Sequence, residues 1–64
     1  MCLSTVYEIR GNERIVSGKN IAAVKTEGDK IILIDLLGVR TELTGRITKI
    51  DLMDNYIIVE PADN

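Results

Sequence analysis

Apolar and polar residues alternate in this chain with a period of two, and glycine or an Asn/Asp turn breaks the alternation every few residues. Helices need a 3.6-residue period, so the pattern selects short strands. Over residues 3–10, Leu3, Tyr7 and Ile9 fall on one face and Ser4, Glu8 and Arg10 on the other. Cys2 shares the polar face, before Gly11-Asn12-Glu13 turns the chain. A short segment at 14–17 closes at Gly18-Lys19-Asn20. A strand at 21–26 then leads into Glu27-Gly28-Asp29-Lys30, a hairpin signal. The return strand is 31–37. After Gly38 come 39–43, a turn or bulge at Gly45, a strand at 47–52, the turn Met53-Asp54-Asn55, and a last strand at 56–60 that Pro61 stops. The expectation is an all-β fold, a small SH3-like or Sm-like antiparallel barrel of five to seven short strands. It forms one domain over 1–64, with 62–64 a frayed tail.

A chain of 64 residues buries only about 60% of its unfolded surface. Small domains offset this with disulfides, metals or oligomerisation, and a single cysteine rules out an internal disulfide. The strand at 31–37 is apolar on both sides except at Asp35. With Ile32, Ile34 and Leu36 in the core, Ile31, Leu33 and Leu37 are left bare and predict a partner subunit, unless one curled sheet uses both faces. Asp35 reads as a gatekeeper against aggregation, or as the partner of Lys25 or Arg40.

Catalytic chemistry finds little support. The chain has no histidine, which removes the commonest general base, and its glycines are spaced as strand punctuation rather than as a phosphate loop. Asp51 and Asp54 fall on opposite faces of an extended strand, with Asp54 in a turn. The protein is not expected to be an enzyme. Net charge is −2 and the isoelectric point about 4.9, with the basic residues scattered among acids. Tyr7 and Tyr56 are the only aromatics, so RNA is disfavoured as a partner. No apolar run approaches the ~20 residues of a membrane span and no export signal opens the chain, so the expected location is the cytoplasm, with no membrane contact.

Met1-Cys2 is the remaining feature. Removal of Met1 leaves Cys2 with an α-amine beside its thiol, two donors that close a five-membered chelate ring. One cysteine cannot complete a tetrahedral site. Two copies of Cys2 across a two-fold axis supply a planar set of two amines and two thiolates, suited to Ni(II) or Cu(II). The plain alternative is that a lone cysteine serves only as a small apolar residue.

Met1-Cys2-Leu3, the central hairpin ending at 31–37, and the Gly45-Arg46-Ile47-Thr48-Lys49-Ile50-Asp51-Leu52 stretch resemble the CooT family. These are small nickel-binding accessory proteins of carbon monoxide dehydrogenase maturation. The resemblance implies a small β-barrel, a homodimer, and one Ni(II) per dimer held through Cys2, with the backbone nitrogen of Leu3 as a further donor. It also implies a client, carbon monoxide dehydrogenase or its maturation proteins. The alternative is a non-metal Sm-like or SH3-like interaction module that binds protein or RNA, with Cys2 incidental.

Overall fold

The computed structural model describes residues 2–62. Its elements are six strands, β1 (Ser4–Arg10), β2 (Glu13–Glu27), β3 (Lys30–Asp35), β4 (Arg40–Thr44), β5 (Arg46–Asp51) and β6 (Tyr56–Glu60). They form one sheet in the order β4-β3-β2-β1-β6-β5. The all-β expectation and the strand number hold.

Two features of the expected barrel are corrected. The sheet does not close, because β4 and β5 stand at its two ends and do not pair. It is also not wholly antiparallel: β1 and β6 run parallel, Thr5 to Glu8 beside Tyr56 to Val59. The two end strands do meet at a corner. The Gly45 amide donates to the Asp29 carbonyl at 2.8 Å, in the β2–β3 turn. A Cβ on Gly45 would lie 2.5 Å from the Glu60 carbonyl, so only glycine allows this approach.

β2 merges two segments that the sequence separated. Its first part pairs with β1, from Glu13 beside Arg10 to Ile21 beside Ser4, and its second part pairs with β3, from Ile21 beside Asp35 to Glu27 beside Lys30. Gly18 and Asn20 bend this strand rather than end it. Asn20 has φ 55, and the register slips on both sides of Ile21. Gly18 is required by packing, since a Cβ there would meet Ile21 Cδ1 at 3.0 Å and Leu33 Cδ1 at 3.1 Å.

The core is Val6, Ile21, Ile31, Leu33, Ile57 and Val59, with Val24, Leu43 and Ile47 packed against it. The faces of β3 are therefore the reverse of the expectation: Ile31 and Leu33 point inward, Ile32 and Ile34 are half-buried, and Leu36 and Leu37 lie exposed beyond the strand. The reason lies in the hairpin register. The two-residue turn at Gly28-Asp29, with Gly28 at φ 57, sets Leu33 beside Val24 and Ile31 beside Thr26. Directly paired residues share a face, so Val24 brings Ile31 and Leu33 into the core. Val6 likewise comes from the side of β1 that reads as polar. Its neighbour Glu8 is accommodated by hydrogen bonds from Ser17 Oγ at 2.6 Å and Arg10 Nη2 at 3.1 Å.

Of the expected frayed tail, Ala62 is held, its carbonyl accepting from Arg46 Nη2 at 3.1 Å. Asp63, Asn64 and Met1, whose removal matters for Cys2, lie outside the described residues.

Candidate functional site at the start of the first strand

Cys2 is a free, exposed thiol just before β1, and Leu3 beside it is half-buried. Register fixes its surroundings. The Thr5 amide donates to the Asn55 carbonyl at 3.0 Å, and Tyr56 lies between Thr5 and Asp51 on the neighbouring strands. The β5–β6 turn therefore lies at the same end of the strands as Cys2. Across the sheet, Ile21 is paired with Ser4 on one side and Asp35 on the other, so the β3–β4 turn leaves the sheet at the level where β1 begins.

Both turns are built the same way. Asp51 Oδ1 accepts from the amides of Met53 at 3.1 Å and Asp54 at 2.7 Å. Asp35 Oδ1 accepts from the amides of Leu37 at 2.8 Å and Val39 at 2.9 Å. A carboxylate that satisfies two amides holds the turn without help from the residues at its tip. Those tips are apolar and face solvent: Leu37 is 84% exposed, Leu52 82% and Met53 90%, with Leu36 and Val39 also exposed. Asp35 thus neither pairs with Lys25 or Arg40 nor acts only as a gatekeeper, and Asp51 is a turn residue rather than a partner of Asp54 in chemistry. In both cases the sequence signal is an aspartate followed by two apolar residues at the end of a strand, Asp35-Leu36-Leu37 and Asp51-Leu52-Met53.

Among the described residues no three His, Cys, Asp or Glu side chains gather as a metal set. One copy contributes a single sulfur, the Cys2 α-amine if Met1 is removed, and the Leu3 backbone nitrogen. This donor set suits a soft or borderline divalent ion only when a second copy adds its own. Among the described residues no helix is long and apolar enough to cross a membrane.

The fold is that of a small all-β protein, with an exposed thiol at one end of its open sheet. Residues 1–60 match the family described as CO dehydrogenase accessory protein CooT. The chain belongs to that family. It is also 45% identical over 42 residues to an uncharacterised protein of Methanocaldococcus jannaschii, covering 66% of this chain and 74% of the relative. A crystal structure assigned to CooT from Carboxydothermus hydrogenoformans superimposes with TM-score 0.86 over 97% of this chain and 100% of that one. At 18% identity, that match concerns the fold alone.

Proposed function

We propose that this accessory protein captures Ni(II) as cargo between the Cys2 ends of two copies and passes it to carbon monoxide dehydrogenase or to the proteins that mature it. The observation that carries this reading is the exposed Cys2 thiol at the end of the sheet that also carries the solvent-facing apolar turns. Leu37, Leu52 and Met53 replace Ile31 and Leu33 as the surface through which two copies meet. Pairing there brings the thiols together, and each supplies one sulfur. Amines of Cys2, or the backbone nitrogens of Leu3, complete a square-planar set.

Each donor gives its proton to solvent as it binds the ion, the thiol and the ammonium of Cys2 or, where Leu3 serves, its amide, so capture strengthens as pH rises and reverses in acid. An open end lets a client's ligands replace these donors one at a time. Titration with Ni(II), followed by ultraviolet absorbance and native mass spectrometry, tests the reading. The expected result is thiolate-to-nickel charge-transfer bands, one ion per two chains, and loss of both in Cys2→Ser. Equal nickel binding by Cys2→Ser in calorimetry overturns it.

A further inference from the structure

The sheet has a second face that the metal reading does not use. Opposite the core, register places Tyr7 beside Val16 and Ile58, Tyr56 beside Thr5 and Asp51, Arg14 beside Ile9, and Lys49 beside Ile58. The two tyrosine rings meet edge to face, with centroids 6.1 Å apart. Arg14 Cζ lies 5.1 Å from the centroid of Tyr7 and 5.9 Å from that of Tyr56, and Lys49 Nζ lies 5.2 Å from the same Tyr56 ring. Two cations therefore share one aromatic pair on a half-exposed surface.

Other charged groups on this face are already engaged. Asp51 Oδ1 holds its turn, and Oδ2 is 4.0 Å from Lys49, at the limit of an ion pair. Glu60 accepts from Thr48 Oγ1 at 3.0 Å, and Arg46 donates to Ala62. Among the described residues Arg14 has no carboxylate partner: its guanidinium is positioned by the rings and its charge is left available. A net charge of −2 for the whole chain makes this face locally opposite in sign to the molecule as a whole.

We propose that this outer face docks an acidic segment of a partner protein, with carboxylates drawn to Arg14 and Lys49 and the methylenes of those acidic side chains laid against Tyr7, Tyr56 and Val16. In an extended peptide, residues i and i+2 point the same way and stand roughly 6.5 Å apart, which suits two cations grouped around one ring. The face is open, with no cavity to enclose a small free anion. A chain segment makes up for that with contact along its length. Nucleic acid fits less well, because its affinity depends on many phosphate contacts and only two cations are available here. This inference does not rest on nickel binding. A purely structural role, in which the two cations simply shield the tyrosines, predicts that replacing them alters stability and nothing else.

Fluorescence anisotropy decides between these, using the full chain and a fluorescein-labelled peptide of alternating glutamate and valine. A peptide with glutamine for glutamate and an oligothymidylate of equal charge serve as comparisons. The acidic peptide is expected to bind in low salt and release as salt rises. The double variant Arg14→Gln/Lys49→Gln should weaken it about tenfold or more, while Arg14→Lys and the distant Lys25→Gln retain binding. Thermal melts of each variant keep a loss of fold from passing as a loss of binding. The proposal is overturned if the acidic peptide binds no better than its glutamine counterpart, if the folded double variant binds it unchanged, or if oligothymidylate binds more tightly through the same residues.

Discussion

Replacing Met53 by serine separates pairing from folding. The Met53 side chain is 90% exposed at the tip of a turn that Asp51 holds through backbone amides, so the protomer has almost nothing to lose. Surface substitutions of this kind stay within about 0.5 kcal/mol of neutral. In the proposed two-fold pair each substitution counts twice. Full burial of a methionine is worth roughly 1.5–3 kcal/mol, so removing one from each copy forfeits about 3–6 kcal/mol of association. At about 1.4 kcal/mol per factor of ten, the dimer dissociation constant rises by at least about two orders of magnitude. Sedimentation equilibrium over a range of concentrations measures that constant directly, with circular dichroism confirming an unchanged fold. Nickel affinity should fall in parallel, because a separated protomer offers one sulfur. Cys2→Ser should show the converse, losing metal while keeping the metal-free dimer. A Met53→Ser dissociation constant within threefold of the parent would refute the placement of the interface.

Two further outcomes test the fold and the outer face. Leu33→Ala should cost about 3–5 kcal/mol, most of what a domain this small has, whereas the half-buried Ile32→Ala should cost about 1 kcal/mol; urea melts that rank the two the other way would contradict the orientation of β3. Lys49 has its pKa raised above 10.5, first by Tyr56, whose ring centroid lies 5.2 Å from the ammonium, and also by Asp51, against opposing contributions from desolvation and Arg14. A raised folded-state value favours the native protein while the ammonium is charged, so this contribution is complete below pH 10.5 and disappears as pH climbs through the folded value. Melting temperatures of the parent and Lys49→Gln should therefore draw together above pH 10.5, and a gap that widens there would be inconsistent with the contact.

Strand count and most strand positions were legible because a period of two with glycine punctuation has few other solutions. What failed was parity. A run that is apolar on both sides, as at 31–37, carries no information about which side is buried, and the choice passed to Val24 through a two-residue turn. In β1 the polar-looking face concealed Val6, because Glu8 can sit beside the core when Ser17 and Arg10 satisfy its carboxylate. Gly18 and Asn20 looked like an end and are a bend, since local turn chemistry does not say whether pairing continues on the far side. The parallel β1–β6 contact joins residues about fifty positions apart, beyond any local signal. At the candidate site, Cys2 was expected to be accessible from its parity with Ser4, Glu8 and Arg10; it is exposed although that side also carries buried Val6, because it lies before the strand begins. The apolar turns around it did not, because Leu36, Leu37, Leu52 and Met53 continue strand-like alternation past the point where Asp35 and Asp51 stop the ladder.

The parallel pairing of the first strand with the last has a consequence for biosynthesis. Val6, fully buried in the finished molecule, has no β6 beside it until Tyr56 to Val59 have been translated. The nascent polypeptide therefore carries the inner face of β1 uncovered until β6 emerges. The domain assembles only after the ribosome has produced the strand that covers Val6.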